Sequence, residues 1–149
     1  MIGLIQRVSR AAVTVAGESV ASIGLGILVF VGVEKGDTSA QAARLAEKIC
    51  GYRVFPNSSG RMDRSVLAAG GSILLVPQFT LVANTDKGMR ASFTSAAEPE
   101  QGEAMFSELT RQIRALHDDV QIGTFGAQMQ VSLVNDGPVS FWLKASPPV

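Results

Sequence analysis

The opening third of the chain places apolar and β-branched residues in short alternating or continuous runs, and the elements these predict are strands. Ile2–Val15 mixes apolar positions with Gln6, Arg7, Ser9, Arg10 and Thr14, which predicts a strand that bends near Ser9. A turn at Ala16-Gly17-Glu18 follows. Residues 19–23 and 27–33 predict two more strands joined by Gly24-Leu25-Gly26, and the second is almost wholly apolar, as a strand buried on both faces would be. Together they predict a β-meander.

The period then changes. Thr38-Ser39-Ala40-Gln41 matches a capping box, and Leu45, Ala46, Ile49 and Cys50 continue at helical spacing until Gly51, predicting a helix over residues 39–51. Residues 53–63 contain Pro56-Asn57-Ser58-Ser59-Gly60 and predict turns between short extended pieces. Residues 72–81 predict a buried strand, and 84–94 a loop without periodicity. Pro99, followed by Met105, Leu109, Ile113 and Leu116, predicts a second helix over 99–117. Residues 127–144 predict a strand, a bend at Asn135-Asp136-Gly137-Pro138, and another strand. About seven strands and two main helices make an α+β domain spanning 1–149, with a largely antiparallel or mixed sheet.

Composition narrows the chemistry. With 149 residues and 46% hydrophobic content the chain can bury one core. The start, MIGLIQRVSR, does not read as a signal peptide, and no apolar run approaches the roughly 20 residues of a membrane-spanning helix, so a cytosolic protein is expected. Cys50 is the only cysteine and His117 the only histidine. These counts exclude an intrachain disulfide and argue against zinc hydrolases, Cys-His proteases and Ser-His-Asp triads. Cys50 reads as core filler and His117, before Asp118 and Asp119, as a solvated histidine on a last helical turn. No metal or cofactor is expected. Thirteen basic residues balance thirteen acidic ones, unlike a general nucleic-acid binder, so any RNA contact must be local.

Two segments break local rules. Pro77 lies inside an apolar strand pattern and is followed by Gln78, Phe79, Thr80 and Leu81; an edge strand leaving its sheet accounts for this, as does a site. Gly137-Pro138 sets a rigid bend that, from the residues alone, is an ordinary trans turn.

These segments and their flanks carry a resemblance. Gln6-Arg7-Val8, Gly70-Gly71-Ser72, Pro77-Gln78-Phe79-Thr80-Leu81, Gly88-Met89-Arg90 with Ser92-Phe93, and the run from Met129 through Asn135-Asp136-Gly137-Pro138 to Val139 are similar, in order, to the D-aminoacyl-tRNA deacylase family. The resemblance implies the fold of that family and hydrolysis of the ester between tRNA and a D-amino acid or glycine. It implies a homodimer in which Gly137-Pro138, with a cis peptide bond, projects into the partner's pocket. Carbonyls there would reject an L side chain and admit a D one. By resemblance, Arg7 braces this motif, Met129 belongs to the substrate site, amides near Phe79 and Thr80 bind the oxyanion, and Gln78 and Phe79 shape the pocket for the terminal adenosine. The vicinal ribose hydroxyl could assist the attacking water, while Thr80 as a covalent nucleophile has no obvious base.

Two positions depart from the family pattern, which often has serine in place of Pro77 and threonine in place of Ser140. Pro77 is also similar to related animal deacylases that tolerate L-alanine, whereas Phe79 and Asn135-Asp136 favour the D-specific branch. Lys87, Arg90, Arg64 and Arg53 are candidate tRNA contacts in loops expected to flank the site. Hydrolysis of another acyl ester, or a non-enzymatic RNA-binding module, remain as alternatives.

Overall fold

The computed structural model describes residues 1–147. Strand β1 (Ile2–Val15) is the centre of the sheet, and its burial pattern explains its bend. Ile2, Ile5, Val8, Ala11 and Val13 are buried while Ser9 and Arg10 are both exposed, so strict alternation fails there. Residues 2–8 lie between β3 (Gly26–Gly32) and β8 (Gln130–Lys144); residues 11–14 lie between β2 (Glu18–Ile23) and β8. The expected meander is therefore corrected: β2 and β3 do not neighbour each other, because both pair antiparallel with β1.

Beyond β3 the pairing becomes parallel, through β6 (Ser72–Pro77) and then β7 (Val120–Ile122). Parallel neighbours need long crossovers, and helices supply them. Helix α1 (Ser39–Gly51) lies in the β3–β6 connection and α3 (Pro99–Leu116) in the β6–β7 connection. The Ser22 amide donates to Gln121 Oε1 at 2.7 Å, bringing β2 beside β7 and curling the mixed sheet toward a barrel. The architecture is α+β, as expected.

Two buried clusters follow from β3 and β6 being covered on both faces. Ile27, Val29, Ile73 and Leu75 meet Leu45, Ile49, Leu109 and Ile113 of the helices, whereas Leu28, Leu74 and Val76 meet Val8, Val13 and Ala21 inside the curl. Helix α1 has its capping box: Thr38 Oγ1 accepts from the Ala40 amide at 3.3 Å, and Gln41 Oε1 accepts from the Thr38 amide at 2.8 Å.

The sequence reading missed or misplaced several elements. The short extended pieces expected in the turn-rich region are there, as a hairpin of β4 (Phe55–Pro56) and β5 (Met62–Arg64), but the short helix after it, α2 (Val66–Ala69), capped by the Ser65 hydroxyl, was missed. β7 is too short to show a period. The strand expected to reach Leu81 stops at Pro77, and Phe79–Val82 form a 3-10 turn. His117 ends α3 as expected but is half-buried, its Nε2 lying 2.8 Å from the Gly71 carbonyl oxygen. The two strands expected across Gly137-Pro138 are a single strand, β8, paired with β1 on both sides of the bend. No helix of the described residues is long and apolar enough to cross a membrane.

Candidate active site

The site begins where β6 runs out. Val31 is in register with Pro77, and the next amide, Gln78 N, still donates to the Val31 carbonyl at 2.8 Å. Successive amides of a strand point to opposite sides, so the position where Pro77 lacks a hydrogen faces β7. That neighbour has already ended, its last partner being Leu75 opposite Ile122, and the proline leaves no ladder bond unmade. The chain then turns sharply onto β3. Gly32 permits this, since a Cβ there would stand 2.7 Å from the Val82 side chain and 3.2 Å from Leu81.

The turn forms one wall of a cleft of about 840 Å³. Val31, Val76 and Pro77 form its strand side; Phe93, Glu98, Pro99 and Gly102 come from the segment entering α3; Phe125, Gln128, Met129 and Val131 close it. Of the sequence-predicted residues, Gln78, Phe79, Thr80 and Met129 all line this cleft. Phe79 is 65% exposed and packs against Phe93 with ring centroids 5.3 Å apart, so a large aromatic face is open at the cleft. Gln78 Nε2 donates to Thr80 Oγ1 at 3.0 Å. The amides of Phe79 and Thr80 open the 3-10 turn and have no acceptor among the described residues. Two adjacent free donors beside an aromatic floor can hold an oxyanion.

Arg7, Gly137 and Pro138 do not line the cleft of this chain; they build a separate projection. In the β1–β8 register Gln6 faces Ser140 and Val8 faces Asn135, so the four residues between, Asp136 to Val139, stand against Arg7 alone and must bulge outward. Arg7 Nε donates to the Asp136 carbonyl at 3.0 Å and its Nη1 to the Val54 carbonyl at 2.7 Å. Asn135 spans the base of the bulge, accepting from the Val139 amide at 3.1 Å and donating to Ser140 Oγ at 3.0 Å. The hydroxyl that Ser140 retains is thus in use. Gly137 has φ +129°, and a Cβ on it would meet Val139 Cγ2 at 2.8 Å and Arg7 Nη2 at 3.0 Å. The Gly137-Pro138 peptide bond is cis, and both residues are exposed.

The four basic candidates divide. Lys87 and Arg90 lie in the exposed loop between the 3-10 turn and Phe93, with the fully exposed Met89 between them. None of the four is among the residues lining the cleft. Arg53 Nη1 pairs with Asp63 at 2.9 Å across the β4–β5 hairpin, and Arg64 donates to the Ala68 carbonyl. That hairpin adjoins the projection through Val54. Sequence reasoning missed Glu98, Gly102 and Phe125, which have no local pattern to betray them because only the turn into α3 and the loop after β7 bring them together. No group of three or more His, Cys, Asp or Glu side chains that could hold a metal ion occurs among the described residues.

Comparison with known proteins places the chain in a family. A protein called D-aminoacyl-tRNA deacylase from Thioalkalivibrio sulfidiphilus is 60% identical over 148 residues, covering 99% of each chain. One of the same name from Alkalilimnicola ehrlichii is 57% identical, covering 99% of this chain and 98% of its own. A solved structure described as a c-Myc DNA unwinding element binding protein superposes with a TM-score of 0.94 at 38% identity, covering 99% of this chain and all of its own. The pattern of the family described as D-Tyr-tRNA(Tyr) deacylase matches residues 4–144, and the chain belongs to that family.

Proposed function

We propose that this deacylase hydrolyses the ester of D-aminoacyl-tRNA, and of glycyl-tRNA, as a cytosolic homodimer in which the Gly137-Pro138 projection of one subunit enters the cleft of the other. The observation that carries the reading is the separation of the two halves of the site. The cleft supplies free amides and an aromatic face, and the projection sits elsewhere on the same chain, exposed and rigidly braced. A second copy joins the halves. Carbonyls of the projection then face the α-carbon of the bound amino acid, where an L side chain collides, a D side chain points away and glycine has nothing to collide.

Chemistry in this arrangement is positional. The amides of Phe79 and Thr80 hold the ester oxygen as it gains charge, and one such donor is worth about 3 kcal/mol in the transition state. Thr80 Oγ1 is already an acceptor for Gln78 and has no base beside it, which leaves water as the nucleophile, assisted by the vicinal ribose hydroxyl. Phe79 offers a stacking face to the terminal adenine, and Lys87 and Arg90 reach for the acceptor-end phosphates. The whole chain acts as one deacylase unit. Its balanced charge argues against the non-enzymatic RNA-binding alternative.

Deacylation of D-Tyr-tRNA and L-Tyr-tRNA by the purified chain, with Gly137→Ala alongside, tests this reading. Rapid loss of the D ester alone is expected, with at least a tenfold fall in Gly137→Ala; loss of both esters, or an unimpaired variant, overturns chiral rejection by the projection. A tRNA ending in 2′-deoxyadenosine is expected to be cleaved far more slowly, and normal cleavage of it removes the ribose hydroxyl from the mechanism.

A further inference from the structure

The cleft walls carry a single ionisable side chain. Among the residues that line it, aliphatic and aromatic groups, glycines, prolines and the neutral Gln78, Thr80 and Gln128 make up the rest, and Glu98 alone is charged. It is exposed, and it has no ion-pair or hydrogen-bond partner for its carboxylate among the described residues. We propose that Glu98 sets a charge preference among the D-aminoacyl esters this site accepts, disfavouring acidic side chains such as D-aspartate relative to neutral ones of the same shape.

Main-chain bonds fix where Glu98 stands on the cleft wall. The Ala96 amide donates to the Phe93 carbonyl at 3.1 Å, the Ala97 amide to Val33 at 3.0 Å, and the Gly102 amide to the Glu98 carbonyl at 2.8 Å. Glu98 is the N-cap of α3 yet makes no capping bond with its side chain, so the charge is not consumed by the helix. Phe79, Phe93, Phe106 and Phe125 line the same cleft, apolar groups that screen a charge poorly. Because Glu98 is exposed, the D side chain leaving the site for solvent passes through its field while salt weakens it. The α-ammonium common to all these esters is attracted equally in every case and does not affect the ranking.

This inference rests on the cleft being the ester site, and its test is independent of turnover. The probes are unreactive 3′-amide-linked D-aspartyl- and D-asparaginyl-adenosine, which differ only in side-chain charge, titrated into the purified full chain at low salt. The wild-type protein should bind the asparaginyl analogue at least threefold tighter. Glu98→Gln should bring the two affinities together, Glu98→Asp should keep most of the difference, and added salt should shrink it. A preference that is absent in the wild type, or equal in wild type and Glu98→Gln, overturns the proposal, as does failure of both analogues to bind. Loss of D-Tyr-tRNA hydrolysis with the binding preference intact would count instead against the catalytic reading.

Discussion

Arg7 shows how one side chain ties chemistry to fold. It is the only residue of β1 opposite the four-residue bulge, and its guanidinium joins the Asp136 carbonyl to Val54, so it fixes the projection against the β4–β5 side of the molecule. Arg7→Ala should cost about 2 kcal/mol of stability, the scale of hydrogen bonds to a charged group, and should cut D-Tyr-tRNA deacylation by tenfold or more. Urea midpoints and single-turnover rates check the two separately. A stability loss without a rate loss would mean the projection keeps its place unaided. Arg7 was legible in the sequence only by resemblance, because a lone arginine in a strand has no periodic or spacing signal. Gln78, Phe79 and Thr80 were more legible, since a proline followed by polar groups breaks an apolar strand whatever its family.

At the scale of the element, legibility followed length and local bonding. Helix α1 was readable to the residue because its start is a reciprocal side-chain cap and its buried face repeats over three turns. β7 and α2, with three and four residues, barely complete one repeat of their periods, and β7 is held by Ile73–Leu75 of β6, distant in sequence. The strand expected over 72–81 takes in Phe79, Thr80 and Leu81 of the 3-10 turn; packing of Val82 over Gly32, not propensity, decides its shape. On α1 the buried thiol of Cys50 gives a measurable pH dependence. Burial pushes its pKa up to about 11, above the value of an unfolded chain, so the folded state holds the proton more tightly. The sign follows: this contribution to stability is complete below about pH 9 and is lost as pH rises from there through 11. Cys50→Ser should flatten that part of the profile in urea titrations run from pH 8 to 11, and an unchanged slope would show that other groups set it.

Over the whole molecule, the sheet order is what sequence could not supply. Local patterns gave strands but not the fact that β1 collects β2, β3 and β8, nor the separation of the cleft from the projection. A buried ion pair helps hold this arrangement together. The Met1 ammonium is inaccessible and donates to Asp37 Oδ1 at 2.9 Å and to the Ala145 carbonyl at 2.8 Å, while Asp37 Oδ2 accepts from the Glu34 amide at 2.8 Å. Removing one partner of a buried pair strands the other charge, so Asp37→Ala should lower stability by about 3 kcal/mol in urea unfolding. A loss well under 1 kcal/mol would show that Glu34, 3.4 Å from the same ammonium, carries the pairing alone.

The pairing of β1 with β8 also dictates a timetable. Ile2 finds its partner at Lys144, so β1, once synthesised, must wait until β8 is made before its second edge is covered. Until then β1 can be sheltered only by β2 and β3, and the projection, which exists because β8 lies against Arg7, cannot yet have formed. A nascent chain released before β8 has been made therefore lacks the feature that would distinguish one enantiomer from the other, however well its helices have already packed.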